Sequence, residues 1–552
     1  MKNRTFAAIA LTAVLPFAAA RPAAAQRFHA SDPAWKDADD LHVPGRPSEM
    51  DWAGTWDALT NTFRAKPQKG RIPPAQGVNS LGEVPDSSWF QNRIGVHPMS
   101  AEDVRRGPNR DDGPDTTGPW TVIRGKSSGI TPGFTIKDAR GDTYFVKSDP
   151  KEYFGLSTGA EVIGTRLFHA FGYHVPETWI VYVRREQIRV DPEATIKLLY
   201  YKPRRMTEAD LDKLVASRAQ LPDGRIRVVA SRAVPGVVVG RARFYGTRPD
   251  DPNDVIPHEN RRDLRGYGVI SAWLNHDDSR SVNTLDAWTT ESGRSYVKHY
   301  KQDFSSILGS GSDWRRQNAP QNPRGGNEYI VDFPPMLKTG ASLGLWNRPW
   351  HSIEYDVYPQ VGAIESKRFD PDTWVPEFPN MAFLSMLPED AFWAARIVSR
   401  FTDELLRAVV DEADLRSPAA EEHLVRTLIE RRDKVTARYF SKLNPLADFR
   451  VDATDGSAAV VFTNYGEDRR LATVEAYEYE WFRYDNQTRQ AEPIGAVHRA
   501  TPRSLPLPPE RPEYLMVRVR TLAAGQPTWR KAVDVFVRTA GEPRVVGVDR
   551  ES

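Results

Sequence analysis

The chain has 552 residues, 40% of them hydrophobic and 27% charged, with 75 Lys and Arg against 73 Asp and Glu. This length predicts two or three domains with room for buried cores. The absence of cysteine excludes a disulfide scaffold, a thiolate metal site, a cysteine nucleophile and a lipoprotein-type lipid anchor.

Residues 1–25 have the three parts of a secretory signal peptide: the basic MKNR, the apolar TFAAIALTAVLPFAAA and an A-x-A site ending at Ala25. No later segment is long and apolar enough for a membrane span. Removing 1–25 leaves 72 cations against 73 acids, which favours neither nucleic acid nor an anionic membrane as a partner. We therefore expect a periplasmic or secreted bacterial protein with no integral membrane segment.

Two regions are predicted between the signal peptide and the middle of the chain. Residues 26–95 are rich in Pro, Trp and Asp with weak periodicity, which indicates an extended N-terminal arm. Residues 96–257 contain WTVIRG, GFTIKDARGDTYFVK and WIVYVRR, runs of β-branched and aromatic residues typical of strands. Within this β-rich region, the spacing predicts one main helix over 156–174, with Val162, Leu167 and Phe171 buried.

Residues 258–446 are predicted to be mostly helical. Asn260 is expected to cap a helix with one apolar face, formed by Leu264, Tyr267, Ile270 and Leu274. A hairpin follows, formed by NTLDAWTT and RSYVKHYKQDF around ESG. The preceding polar stretch 248–262 lacks the oxygen spacing of a calcium loop and is expected to be a solvated linker.

The rest of this region is predicted to hold one irregular segment and two strong helices. Residues 309–380, rich in Gly, Pro and Trp, form the irregular segment. One helix repeats apolar residues every four positions, at Trp393, Ile397, Phe401, Leu405 and Val409, and the other opens at Ser417-Pro418.

In residues 447–552 the pattern of apolar and polar residues changes to a period of two residues. Tyr477, Tyr479 and Trp481 alternate with glutamates, and Val517 and Val519 alternate with arginines. This alternation predicts a small antiparallel β-sandwich, in which the aromatic row belongs to the core rather than to a sugar-binding surface.

Candidate catalytic residues lie in WLNHDDSRSVN, residues 273–283. His276, Asp278 and Asn283 form the pattern H-x-D-x-x-x-x-N at the end of the predicted helix. Alone, the cluster is equally consistent with a capped, solvated helix end. Twenty residues after Asn283, QDFSS places Asp303 directly after a predicted strand, which weakens that simpler interpretation.

Upstream residues supply groups that fit a phosphate-binding site. FVKSDP places Lys147 at a strand end, and Glu161, fourteen residues later on the predicted helix, is placed to form an ion pair with it. In GKSSGITPG, the glycines Gly125, Gly129 and Gly133 would let backbone N–H groups approach a phosphate. A plain hairpin between two strands would explain the same glycines equally well.

In this order the motifs resemble the atypical bacterial kinase-like proteins, which include HipA-type and spore-coat CotH-type kinases. The sequence looks most similar to exported proteins with VPDSSWF, TPGF, WLNH-x-D and KHY-x-x-DF motifs, over roughly 85–445. The resemblance implies an α+β chain with a two-lobed protein-kinase-like fold, an N-lobe over 96–257 and a C-lobe over 258–446. The β-sandwich-like domain over 447–552 would follow.

The resemblance also implies ATP and Mg²⁺ as cofactors and gives each candidate residue a role. Lys147, fixed by Glu161, would hold the nucleotide phosphates together with the glycine loop. Asn283 and Asp303 would be the Mg²⁺ ligands. Asp278 would accept the proton of the attacking hydroxyl.

Arg280 would face the transferred phosphoryl group. The chain departs from the kinase pattern at two positions near this site. Asp277 replaces the arginine of H-R-D, which argues against control by a phosphorylated activation loop, and Ser305 replaces the glycine of D-F-G. The glycine loop is not G-x-G-x-x-G, and no A-P-E segment is present.

The predicted function is an ATP/Mg-dependent phosphotransferase acting on a hydroxyl of an envelope or extracellular substrate, with AMP transfer as a variant of the same chemistry. The alternative is a non-catalytic, pseudokinase-like envelope scaffold whose C-terminal β domain binds a protein or glycan partner. A metal-dependent hydrolase at His276, Asp277 and Asp278 is less favoured, because no second histidine cluster completes a site.

Overall fold

The structure is a computed structural model that describes residues 26–50, 54–126, 133–197, 202–311, 322–453 and 458–551. The predicted signal peptide and Gly129 lie outside these ranges. Within them the chain is a mixed α/β protein with several sheets. None of the helices described is long and apolar enough to cross a membrane.

The arm, residues 26–95, contains a helix that the sequence interpretation missed, α1 (Gly54–Phe63). Elsewhere it touches the rest of the chain through isolated bridges, such as Gln76 with Arg261 and Phe90 with Tyr173. Phe28 is buried beside the C-terminal strands. The arm is therefore extended for most of its length and spans the other regions.

A seven-stranded sheet dominates the region after the arm, in the order β4-β7-β3-β2-β1-β5-β6. Its strands are β1 (Trp120–Lys126), β2 (Gly133–Lys137), β3 (Thr143–Ser148), β4 (Thr178–Val183), β5 (Ile188–Lys197), β6 (Arg204–Arg205) and β7 (Ile226–Arg232). Three helices accompany it: α2 (Ala101–Arg106), α3 (Leu156–Phe171) and α4 (Glu208–Ala216). The main helix predicted over 156–174 is α3, which ends before Gly172.

Helices supply most of the regular secondary structure of the next region, together with a three-stranded sheet whose first strand comes from the preceding region. The sheet consists of β8 (Val237–Gly240), β9 (Thr284–Glu291) and β10 (Arg294–Lys301), so the predicted hairpin is present. The helices are α5 (Arg262–Leu274), α6 (Phe333–Ala341), α7 (Met381–Leu384), α8 (Pro388–Ser399), α9 (Asp403–Asp411) and α10 (Pro418–Phe440).

Three sequence expectations for this region need correction. Arg261, not Asn260, stands at the N-cap of α5, and the Asn260 Oδ1 atom accepts a hydrogen bond from Arg265. The helix predicted through Val409 is two helices, because Thr402 caps α9 by accepting from the Leu405 N–H. The segment 309–380 is not wholly irregular, since it contains α6.

The polar stretch 248–262 is also different from the solvated linker that was expected. Asp254 and His258 are buried and joined at 2.7 Å, and buried Arg248 reaches the Asp286 carboxylate at 3.3 Å. Asp254 and His258 are four residues apart, whereas Asp286 is far from Arg248 in the sequence. Each buried polar group has a polar partner, which lowers the free-energy cost of burying it.

The C-terminal region contains two antiparallel sheets, ordered β11-β12-β15 and β14-β13-β16-β17-β18. Its elements are β11 (Leu446–Asp452), β12 (Ala459–Asn464), α11 (Tyr465–Asp468), β13 (Val474–Tyr484), β14 (Ala491–Ala500), β15 (Ser504–Pro506), β16 (Tyr514–Ala523), β17 (Val533–Arg538) and β18 (Arg544–Arg550). Both sheets contribute to one hydrophobic cluster. Tyr477 and Trp481 are buried in it, as expected from the alternating pattern.

Candidate active site

The strand β3 and the helix α3 place Lys147 and Glu161 on facing elements. β3 lies between β2 and β7, where Lys147 pairs with Gly133 on one side and Val229 on the other. Asp149, just beyond β3, accepts hydrogen bonds at 2.8–2.9 Å from the backbone N–H groups of Gly155, Ser157 and Thr158. This buried carboxylate anchors the start of α3, because the N-terminal N–H groups of a helix attract negative charge.

Lys147 contacts two carboxylates from different elements. Its Nζ atom lies 2.9 Å from Glu161 Oε2 on α3 and 2.6 Å from Asp303 Oδ1 after β10. The Ser305 hydroxyl also donates to Asp303 Oδ1, at 2.8 Å. Burial opposes the charge of Lys147, but Asp303 and Glu161 outweigh it and hold the lysine pKa above its ordinary value. The expected Lys147–Glu161 ion pair is therefore present.

The hairpin of β9 and β10 brings Asn283 and Asp303 to the same end. Thr284 pairs with Lys301 across the ladder, and the Gln302 N–H donates to the Asn283 carbonyl oxygen at 3.0 Å. Asp303 follows directly, with a left-handed φ of 61°. Residues twenty positions apart are therefore adjacent at the base of one hairpin.

Asp278 and Asn283 are linked within the loop between α5 and β9. The Asn283 Nδ2 atom donates to the Asp278 carbonyl oxygen at 2.7 Å. The Asp278 carboxylate accepts from the Arg280 guanidinium. Arg280 also lies 3.4 Å from Glu377, a residue that no sequence signal indicated.

Two carboxyl groups beside this loop hold their protons more tightly than usual. Burial, followed by the charge of Asp278, raises the pKa of both Asp277 and Glu377. Asp277 is fixed in place, since its Oδ2 atom accepts from the Asn322 amide at 2.9 Å. Arg280 therefore lies among several carboxyl groups, of which Asp278 is the nearest.

His276 and Phe304 form the buried floor of the site. The Phe304 ring stacks on Phe168 of α3 with centroids 4.6 Å apart, and His276 lies 5.8 Å from Phe304. Gly164 permits this approach, because a Cβ atom there would collide with Phe304. Burial lowers the pKa of His276 to about 4, while the charges of Asp278 and Asp303 oppose that shift. His276 is thus electrostatically coupled to both carboxylates.

The glycines of the predicted phosphate loop have packing roles where the structure describes them. Gly125 lies inside β1, where a Cβ atom would sit 2.7 Å from Met206 Sδ, and Gly133 faces the Val146 carbonyl oxygen. Lys126 pairs with Gly133, so Gly125 belongs to the sheet and not to the loop. The predicted role of these glycines in holding a phosphate stays a prediction.

The predicted site residues thus form a connected set, apart from Gly125 and Gly129. Lys147 joins Glu161 to Asp303, and the hairpin and loop connect Asp303 through Asn283 to Asp278. The sequence interpretation missed Asp149, Glu377 and the Asp303–Ser305 hydrogen bond. SDP and DFSS contain three of these residues, and the missed hydrogen bonds of Asp149 and Ser305 have local partners. Glu377, by contrast, reaches Arg280 from a distant part of the chain.

The described residues include no group of three or more His, Asp or Glu able to hold a metal by themselves. Asn283 and Asp303 together offer two oxygen-bearing side chains at the hairpin base. The Asn283 amide nitrogen is engaged with Asp278, so its oxygen is the atom left to face a cation. A hard cation with two protein ligands would need further oxygens from a bound ligand or water.

No protein-family model matches the chain, and no curated protein matches it. Among solved structures, the crystal structure of a Golgi casein kinase matches with a TM-score of 0.25 and 9% sequence identity. The match covers 59% of this chain and 76% of that one. A similarity this low does not establish a shared fold or activity, so function must be inferred from the side chains of the site.

Proposed function

We propose that the protein is a kinase-like phosphotransferase with a two-lobed arrangement, using ATP and Mg²⁺ to modify a hydroxyl group. The observation that carries the proposal is the double contact of Lys147 with Glu161 and Asp303. Lys147 lies on a strand, Glu161 on a helix and Asp303 at the end of a hairpin. In the sequence, Glu161 is 14 residues and Asp303 is 156 residues from Lys147. Phosphoryl transfer requires such a cation beside a metal-binding carboxylate.

The hairpin base fits a Mg²⁺ ion that arrives with nucleotide phosphates. Asn283 and Asp303 supply two oxygen ligands, and the Asp303 side chain is partly exposed. Mg²⁺ commonly binds through one or two carboxylates plus substrate phosphates and water. Bound there, it would neutralise charge on the β- and γ-phosphates.

Asp278 is the candidate base. Its carboxylate would take the proton of the acceptor hydroxyl while the hydroxyl oxygen bonds to the γ-phosphorus and the bond to ADP breaks. Arg280, now paired with Asp278 and Glu377, is placed to balance negative charge on the transferred group. Its contacts with Asp278 and Glu377 restrict how far its guanidinium can move.

A non-catalytic scaffold is the second candidate, favoured by one specific contact. The Asp303 carboxylate that would bind metal is already bonded to Lys147 at 2.6 Å. A lysine neutralised in this way could serve only to hold the two regions together. The C-terminal sheets would then act as a β-sandwich-like module for an envelope protein or glycan.

The cellular setting is part of the proposal. We propose export with cleavage near Ala25, which would place residues 26–552 in the periplasm or outside the cell. The acceptor would then be an envelope or extracellular hydroxyl, and ATP would have to be supplied to that compartment.

Calorimetric titration of ATP into purified 26–552, with and without Mg²⁺, tests nucleotide binding. Asp303→Asn should abolish the Mg²⁺-dependent part of binding, whereas Asp112→Asn, an exposed control for loss of charge, should change nothing. ATP binding that is absent, or unaffected by both Mg²⁺ and Asp303→Asn, would contradict the proposal.

Transfer chemistry separates the enzyme from the scaffold. Asp278→Asn should keep ATP binding but lower phosphate transfer from γ-labelled ATP to envelope fractions by at least about a hundredfold. The scaffold predicts no transfer by either protein. Transfer that Asp278→Asn leaves intact would rule out the role given to this carboxylate.

A further inference from the structure

Helix α1 of the arm has its polar and apolar faces reversed. Asp57 and Asn61 point into the protein and are buried, while Trp56, Leu59 and Phe63 are exposed. Trp56 and Phe63 are 68% and 67% exposed. A surface helix of a globular protein normally buries its apolar stripe, so the outward stripe indicates a partner outside the chain.

Helix α6 and the turn after it continue the exposed apolar surface. No residue of α6 is buried, and its Phe333, Met336 and Leu337 are exposed at helical spacing. Leu343 and Leu345 follow, 92% and 86% exposed. The Phe63 and Phe333 rings lie 5.9 Å apart, so the two helices form one surface, here called the α1/α6 surface.

The α1/α6 surface is locally basic although the whole chain is nearly neutral. Residues 58–82 contain four cations and no acid, and all four are exposed: Arg64, Lys66, Lys69 and Arg71. Residues 333–353 add Lys338. Arg348 of this segment is paired with Glu328, and Asp332 and Glu354 flank the segment. The net charge of the whole chain gave no reason to expect an anionic membrane as a partner. The α1/α6 surface nevertheless has a local excess of positive charge.

We propose that the α1/α6 surface docks the protein on an anionic lipid membrane. Helices that lie in a membrane interface combine exposed Trp, Phe and Leu with Lys and Arg at the rim. These side chains project outward from two helices and a turn, which suits insertion among lipid head groups. The neighbouring cations match the negative charge of an acidic leaflet.

The same surface adjoins the candidate catalytic loop. The Ser281 hydroxyl donates to Asp57 Oδ2 of α1 at 2.6 Å, and Gly54 packs against Val282. On the α6 side, the Ile330 N–H donates to the Glu377 carbonyl oxygen at 2.7 Å. Docking would therefore hold this loop beside the membrane. The docking itself does not depend on the proposed phosphotransfer.

Vesicle flotation with purified 26–552 tests the docking. We expect binding to vesicles of phosphatidylcholine mixed with phosphatidylglycerol, and weaker binding to pure phosphatidylcholine. The variant Leu337→Ser/Leu343→Ser/Leu345→Ser should lower the partition coefficient at least about tenfold, because three exposed leucines lose their lipid contacts. Lys66→Gln/Lys69→Gln should weaken binding to the anionic vesicles only, by roughly fivefold per cation.

The double variant Val255→Ser/Val497→Ser is the matched control, because both valines are exposed outside the α1/α6 surface. It should bind vesicles like the unaltered protein, and all variants should keep their unfolding temperature. Absence of vesicle binding, or full binding by the leucine variant, would overturn the proposal. A dimer that the leucine variant dissociates would assign the surface to a second copy and overturn it as well.

Discussion

Two lysines near the hairpin base, Lys147 half-buried and Lys301 buried, have opposite surroundings. Lys147 donates to the carboxylates of Glu161 and Asp303. The Nζ atom of Lys301 has no hydrogen-bond partner within the described ranges. Instead it lies 4.9–5.4 Å from three ring centroids, those of Trp89, Phe244 and Tyr267. Burial lowers the pKa of Lys301 to about 8, whereas the carboxylates raise that of Lys147.

The surroundings of Lys301 form a sealed cluster centred on Trp89 of the arm. The Trp89 ring stacks on His299 with centroids 3.5 Å apart and meets the His258 ring edge-on at 4.7 Å. Arg261 also lies over this ring, 5.1 Å from its centroid. This aromatic cluster joins the arm to β10 just before Asp303.

The comparison shows that residue type alone does not identify a functional lysine. Lys147 stays charged beside a partly exposed carboxylate, where an anionic ligand can approach. Lys301 is enclosed by rings and has no route to one, so its role is to fix the chain that leads into Asp303. The residues around Lys147 would take part in phosphoryl transfer, whereas the residues around Lys301 would stabilise the fold.

The largest expected effect is on the aromatic cluster. Trp89→Ala should lower the free energy of unfolding by about 3–5 kcal/mol, because a buried ring is removed and a cavity remains. Trp89 is only 2% exposed. Trp56→Ala, the same deletion at an exposed position, should change stability by less than about 0.5 kcal/mol. Chemical denaturation measures both, and equal effects would show that the arm does not depend on this cluster.

Replacing each lysine by methionine tests the comparison directly. Lys147→Met should lower the free energy of unfolding by about 2–3 kcal/mol, because Glu161 would stay buried without its cation. Lys301→Met should change it by less than about 1 kcal/mol, or raise it, because the apolar side chain suits the ring-lined site. Urea unfolding at neutral pH measures both values. If Lys301→Met lowered the free energy of unfolding more than Lys147→Met, the roles assigned to the two lysines would have to be exchanged.

Local sequence signals predicted part of the fold and part of the site. The β9–β10 hairpin follows from residue alternation around a glycine turn, and the Lys147–Glu161 contact follows from a strand–helix order with suitable spacing. The helix break at Phe401 was not predictable, because the apolar four-residue repeat continues through it. The following helix buries the next apolar residues of the repeat. The repeat therefore continues although the helix itself is interrupted.

Other features depend on partners far along the chain. Arg248 lies 2.9 Å from Asp250 and 3.3 Å from Asp286, and the sequence of 248–262 gives no sign of the second contact. Glu377 joins the site only through the path of a Gly- and Pro-rich segment. The helix α1 was missed because the periodicity of residues 26–95 is weak, and even a recognised pattern would not state which face is buried.

The smallest expected effect is a change in pH dependence at Glu377. Its raised pKa means that the folded protein holds a proton that the unfolded chain releases. Stability should therefore fall as pH rises from the ordinary carboxylate range through this raised pKa. Glu377→Gln removes that titration, so the stability of the variant relative to the unaltered protein should rise steadily as the pH goes from about 5 to roughly 8. Exposed Glu152→Gln should show a constant difference over the same range. If urea unfolding shows a stability difference between Glu377→Gln and the unaltered protein that does not change with pH, Arg280 compensates the buried charge of Glu377 fully. Asp277 would then be the group that binds the extra proton beside Asp278.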